Sequence, residues 1–174
     1  MPFQRPLPHV DPEAHQGRLR HVAMRLMSAR LTVALEGGLA FQLTAWRLVP
    51  VLMRLSGGRF AHLLPMPVGL IETRDARNGK PHRRTVVYFH DGERVTVIPS
   101  KAGLPEDPFW YRNALADPAV RFESRSFQAE PITDEAALRR LWALADRFYP
   151  ACVTYRQRAA QAGRTIPILQ LIPR

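Results

Sequence analysis

Cysteine is almost absent from this chain of 174 residues: Cys152 stands alone. One thiol cannot close an internal disulfide or build a paired-cysteine metal site. The six histidines, His9, His15, His21, His62, His82 and His90, show no metal-ligand spacing with carboxylates, and no HExxH occurs. No metal is therefore expected. A nucleophile elbow of the GxSxG kind is also missing. The longest apolar candidate, Leu39–Leu55, is interrupted by Gln42, Thr44, Arg47 and Arg54, and it falls short of the ~20 residues that span a bilayer. The start, Met-Pro-Phe-Gln-Arg, has no signal-peptide core. A cytoplasmic location is the expectation.

Acidic residues are scarce. Asp and Glu total 15 against 25 Lys and Arg, a net charge of +10. That excess favours anionic partners: nucleic acid, an anionic membrane face or a polyanionic cofactor. Composition does not choose among them, and an unpartnered basic surface is the plain alternative. A nucleic-acid module would rest on the charge alone, because no RNP-like or zinc-finger signature accompanies it. Apolar residues make up 46%, enough for one ordinary domain with a core.

Asp11-Pro12-Glu13 starts a helix, with Asp as cap and Pro in the first turn. Leu19, Val22, Ala23, Leu26 and Met27 follow at helical spacing, decorated by Arg18, Arg20, Arg25 and Arg30, up to Gly37-Gly38. A second helix is expected from about Ala40 to Leu55, kinked at Pro50. Then the period changes. Val68–Thr73, Thr85–His90 and Arg94–Pro99 read as strands, with a type I′ hairpin signal at Asp91-Gly92 and a polar, basic loop over Asp75–His82. A short helix is expected over Phe109–Leu115 and a strand pair over Val120–Glu123 and Phe127–Glu130. Thr133-Asp134-Glu135 starts a helix with Leu138, Leu141, Trp142, Ala145 and Phe148 on one face. Pro150 interrupts it, Val153–Gln161 continues, and Ile166–Ile172 is the last strand. This order lacks βαβ alternation. It predicts an α+β fold: a small antiparallel barrel with packed helices, a helical extension at 1–40 and the barrel domain at 41–174.

Three groups of residues carry a family resemblance. Ser100-Lys101-Ala102-Gly103 follows a strand; Pro108-Phe109-Trp110-Tyr111-Arg112-Asn113 and Ala116-Asp117-Pro118 come next; Tyr149-Pro150, Tyr155 and Gly163-Arg164-Thr165-Ile166-Pro167 close the set. Gly79-Lys80-Pro81 lies nine residues before Tyr88. In this order they resemble the deazaflavin-dependent nitroreductase family, over roughly Trp46 to the C-terminus. Ala102 stands where that family usually has Gly, and His82 where it usually has Arg.

The resemblance implies a split β-barrel and the cofactor F420, an 8-hydroxy-5-deazaflavin with a phosphodiester, a lactyl carboxylate and a glutamate tail. FMN is the less favoured cofactor. The implied activity passes a hydride from the reduced coenzyme to a quinone, nitroaromatic or other conjugated acceptor. The alternative is a non-catalytic split barrel that holds deazaflavin, flavin or another ligand. Cofactor-binding candidates are Lys80, His82, Arg83, Arg84, Ser100, Lys101, Ala102, Gly103, Trp110 and Asn113. The first four form one basic loop in this reading, and the Gly-containing turn suits anion capture by backbone N–H groups. Trp110 and Asn113, three apart on a helix, share a face. Tyr149, Tyr155 and Ser100 are the catalytic candidates: a phenol can donate a proton as hydride arrives. The plain alternatives are a solvated charge run, a core Trp and tyrosines packed at a helix edge. The basic N-terminal helix raises peripheral contact with an anionic membrane, near a lipid-soluble acceptor. A homodimer is open by analogy with other split barrels.

Overall fold

A computed structural model describes residues 7, 9–12, 51, 55 and 67–174. The two expected N-terminal helices and the boundary near residue 40 lie outside the described residues, isolated positions apart.

Six strands form a closed barrel: β1 (Val68–Arg74), β2 (Pro81–Asp91), β3 (Arg94–Val97), β4 (Ala119–Phe122), β5 (Arg125–Pro131) and β6 (Leu169–Pro173). Their order around the barrel is β1-β2-β3-β6-β5-β4, antiparallel throughout. Helix α1 (Phe109–Ala116) lies between β3 and β4 in the chain; α2 (Glu135–Phe148) and α3 (Ala151–Gln161) lie between β5 and β6. The α+β split-barrel expectation holds.

Strand alternation sorts the apolar residues into two cores. Val86 and Tyr88 join Ile71, Val95, Val97, Phe122, Leu169 and Leu171 in the first. Phe89 belongs to the second, with Leu141, Phe148, Tyr155 and Ile168. The first fills the barrel and the second lies beneath α2 and α3. Full burial of a side chain such as Phe122 contributes about 1.5–3 kcal/mol. Its ring packs where Gly69 has no side chain: a Cβ there would approach the ring to 2.2 Å.

Several boundaries move. β2 begins at Pro81 rather than Thr85, so His82, Arg83 and Arg84 are strand residues, not loop residues. Proline is tolerated as the first residue of a strand because no ladder donor is needed there. β3 stops at Val97. Pro150 separates α2 from α3 as expected, but α3 begins directly after it, at Ala151 rather than Val153. β6 begins at Leu169, since Pro167 has no N–H for the ladder. α2 starts as expected, with the Asp134 carboxylate accepting from the Ala137 N–H at 2.8 Å.

The expected turn type also changes. Asp91 pairs with Arg94, so Gly92 and Glu93 make the β2–β3 turn. Only Gly92 of the two has positive φ, +60°, the type II′ pattern rather than I′. Two positive-φ residues occur instead at the β4–β5 turn, Glu123 (47°) and Ser124 (68°), where neither Gly nor Asn signals it. Glu123 is held there by Leu70 of β1: its N–H donates to the Leu70 carbonyl at 3.0 Å, and its carboxylate accepts from the Leu70 N–H at 2.5 Å.

Candidate active site

The segment after β3 folds into a left-handed turn. Lys101, Ala102 and Gly103 have φ of 48°, 53° and 77°. The left-handed region costs a residue with a Cβ roughly 1–2 kcal/mol. Lys101 and Ala102 both carry that cost, so the surroundings must impose the shape. Arg164 does so from the loop after α3. Its guanidinium donates to the carbonyls of Pro99 (2.5 Å), Ser100 (3.0 Å) and Leu104 (2.9 Å), and its Nε to Asp107 (2.8 Å). Arg158 of α3 donates to the Ala102 carbonyl at 3.0 Å. Gly103 lies against α3 so closely that a Cβ would be 2.5 Å from the Tyr155 carbonyl oxygen.

Two phenols lie in the core beside this turn. Tyr149 and Tyr155 are buried with Ala102 in the cluster beneath α2 and α3. Their hydroxyls are 3.0 Å apart and share a hydrogen bond. Cys152, one turn before Tyr155, is buried, and its thiol pKa is pushed up to about 12 by burial, with Asp146 adding to the effect. It stays protonated and is no nucleophile.

The basic residues do not act as one group. Register pairs Arg83 with Glu72, and the two side chains form an ion pair on their face of the sheet. Two-residue periodicity puts His82 and Arg84 on the other face, the one that Val86 and Tyr88 turn to the barrel core. His82 packs edge-on against Phe109 of α1, centroids 5.1 Å apart. Burial lowers its pKa, the Arg84 cation adds to the shift and Asp75 opposes it. Its Nε2 is buried without a protein partner. Lys80 lies exposed in the β1–β2 loop. Lys101 pairs with Glu106 at 3.2 Å.

Trp110 and Asn113 are both buried on α1. Trp110 packs in the barrel core. Asn113 donates to the Thr73 hydroxyl at 3.4 Å and accepts from the Ala76 N–H at 3.4 Å, tying α1 to the end of β1 and its loop. Ser100 uses its backbone in the turn: its carbonyl accepts from Gly103 at 2.9 Å as well as from Arg164. The segment 105–109 joins the two halves of the site, with Asp107 on Arg164 and Phe109 on His82. Sequence reasoning did not single out Arg158, Asp107 or Arg164 for the site. The available signal was an arginine directly after Gly163, which has φ of +74°.

The chain matches the model of the F420H(2)-dependent quinone reductases over residues 45–173. The chain belongs to that family. An F420H(2)-dependent quinone reductase of Mycobacterium tuberculosis (strain ATCC 25618 / H37Rv) is 29% identical over 137 residues, covering 74% of this chain and 89% of the relative. Among solved structures, an F420-H2 dependent reductase is 25% identical with a TM-score of 0.52, covering 60% of this chain and 93% of that one. A chain solved as a domain-swapped dimer superposes with a TM-score of 0.54 at 24% identity, over 74% of this chain and 98% of that one, and shows the same fold. Membership thus bears out the resemblance read from the turn, the α1 motif and the C-terminal motif.

A surface hollow of about 340 Å³ between β1, β4 and β5 contains none of the expected site residues. Its arginines, Arg74, Arg121 and Arg174, are exposed.

Proposed function

We propose that this chain binds reduced F420 and passes its hydride to a quinone-type acceptor. The observation that carries the reading is the locked left-handed turn Lys101–Gly103 beside the buried Tyr149–Tyr155 pair. The residues fit such a coenzyme. A polyanionic tail calls for fixed cations and backbone donors. Arg84 on the core-facing side of β2, Lys80 in the adjoining loop and Lys101 in the turn supply the cations, and His82, whose charged form burial disfavours, adds a polar ring beside Arg84. The orphaned His82 Nε2 gives a further polar atom awaiting a partner. Arg83, on the opposite face with Glu72, is the weakest of the cationic candidates.

When bound, the reduced coenzyme supplies a hydride to the acceptor, which also takes up a proton. The protein's own part is to anchor, to exclude water and to hold that proton. Lys101 and the turn anchor the anionic groups; Ser100 stands at the turn's entry for a polar contact with the ring. Asn113 fixes α1 against β1 and so the position of the basic loop. The phenol pair holds a hydroxyl proton in a water-poor cluster, where either Tyr149 or Tyr155 can pass it to an acceptor oxygen.

The test is a titration of the purified chain with F420 and with FMN, followed by turnover of the reduced coenzyme with a soluble naphthoquinone. Coenzyme-dependent quinone reduction is expected, with FMN bound far more weakly. Tight FMN binding without F420 binding overturns the reading. The arginines of the N-terminal segment, Arg18, Arg20, Arg25 and Arg30, support docking on an anionic bilayer. Salt-sensitive co-sedimentation with anionic vesicles checks that extension, and sedimentation equilibrium checks for a homodimer.

A further inference from the structure

Arg164 is a cation that is only 9% exposed, and its hydrogen bonds form a complete set. A guanidinium carries five N–H groups. Nε bonds Asp107 Oδ1; Nη1 bonds the carbonyls of Ser100 and Leu104; Nη2 bonds the Pro99 carbonyl and lies 2.8 Å from Asp107 Oδ1. Five contacts match five donors. The three carbonyls bracket the left-handed stretch: Pro99 and Ser100 precede it, and Leu104 follows it.

A trans peptide directs its C=O and N–H in opposite senses. Because the Ser100 carbonyl turns to Arg164, the N–H of the same peptide unit, on Lys101, is directed away from it. The charge of Arg164 is matched by Asp107, whose side chain is 35% exposed. The guanidinium is spent on backbone and on one carboxylate, and it has no remaining donor for a ligand.

We propose that Arg164 is the positioning residue of the coenzyme site: its fork holds Lys101–Gly103 left-handed and so presents the Lys101 N–H and side chain to the anionic part of the coenzyme. This rests on the reading that the turn receives F420. Lysine cannot replace the arginine, because a single ammonium lacks the planar fork that meets three carbonyls and a carboxylate together. Once the clamp is gone, Lys101 and Ala102 relax toward the right-handed region that non-glycine residues prefer.

The experiment compares wild type, Arg164→Lys and the double variant Arg164→Lys/Ala102→Gly, all as the full chain. F420 affinity is read by absorbance titration, thermal unfolding by calorimetry and turn opening by deuterium exchange of residues 99–104 in the coenzyme-free protein. Arg164→Lys is expected to raise the dissociation constant by about tenfold or more, as for lost charge-assisted hydrogen bonds, and to speed exchange in the turn. Glycine adopts the left-handed region without the Cβ penalty. Adding Ala102→Gly is therefore expected to recover most of the affinity and protection, a rescue that a purely fold-supporting arginine would not show. Wild-type affinity in Arg164→Lys overturns the proposal, and so does weak binding that Ala102→Gly leaves unchanged. If Arg164→Lys does not fold, Asp107→Asn is measured in its place, with the same direction expected and wild-type affinity and exchange overturning the idea. Faster turn exchange in a chain whose wild type does not bind F420 would refute the coenzyme reading and leave the clamp standing.

Discussion

The hydroxyls of Tyr149 and Tyr155 are 3.0 Å apart in a cluster otherwise built of apolar side chains, and each ring is buried. Two phenols so placed share one hydrogen bond, in which either can be the donor. Phenylalanine at either position keeps the ring and removes the hydroxyl. Tyr155→Phe and Tyr149→Phe are each expected to cost about 1 kcal/mol of stability. If the pair supplies the proton, stopped-flow turnover with a quinone falls by about a hundredfold in at least one of them, within the range for positioned acids. Unchanged turnover in both removes the pair from the chemistry.

The split between the two faces of β2 separates two neighbouring arginines. Arg84→Ala is expected to weaken F420 binding by about ten- to a hundredfold, the effect shrinking in high salt. Arg83→Ala breaks an exposed ion pair with Glu72 and is expected to change affinity less than about threefold. Isothermal titration of both variants distinguishes them. The reverse order would mean that the coenzyme approaches the outer face of the sheet.

His90 predicts a pH dependence. Its Nδ1 accepts from the Val10 N–H at 3.0 Å, and the His90 backbone N–H donates to the Val10 carbonyl at 2.7 Å. Burial lowers its pKa below the ordinary 6.5, with help from His9, stacked 4.5 Å away; Glu93 and the Val10 bond oppose the shift. The ring of Tyr88 also faces it, 5.8 Å away. The folded state therefore binds the proton less readily than the unfolded chain. This contribution to stability is complete above the unfolded value and is lost as pH falls through the lower folded value. Thermal midpoints are expected to drop between about pH 7 and pH 5, with a shallower slope in His90→Gln. Equal slopes would place the acid sensitivity elsewhere.

Gly103 and Gly79 both have positive φ but differ in surroundings. A Cβ at Gly103 meets the Tyr155 carbonyl oxygen at 2.5 Å, whereas at Gly79 nothing lies within 4 Å. Gly79→Ala is expected to cost only the left-handed penalty, roughly 1 kcal/mol. Gly103→Ala adds a clash with helix backbone and is expected to cost roughly 2–4 kcal/mol. Chemical denaturation of both variants checks the difference.

The barrel was legible where alternation and caps are strong. Val68–Arg74 and Asp134 ahead of α2 fall where the residues place them, because period-two burial and an N-cap carboxylate are local signals. His82–Arg84 were misread as loop because polar residues at a strand end give no apolar alternation; their ladder comes from Glu72 and its neighbours in β1. The turn Glu123–Ser124 was invisible for a related reason: Leu70, 53 positions away in sequence, holds Glu123 in place. In the site, the motif located Ser100–Gly103, but the residue that shapes it, Arg164, lies about 60 positions downstream and bonds backbone atoms, which carry no side-chain signature.

Two rungs, Ile71 with Phe122 and Glu72 with Arg121, join β1 to β4, against seven between β1 and β2. The Leu70–Glu123 bonds extend that short join. The β1–β2–β3 meander and the β4–β5 hairpin can each assemble from near neighbours, whereas this join must wait for a distant partner. It acts as a clasp on a hoop. With two rungs it is the narrowest of the six joins in the ring, and the contact of Gly69 with the Phe122 ring lies directly beside it.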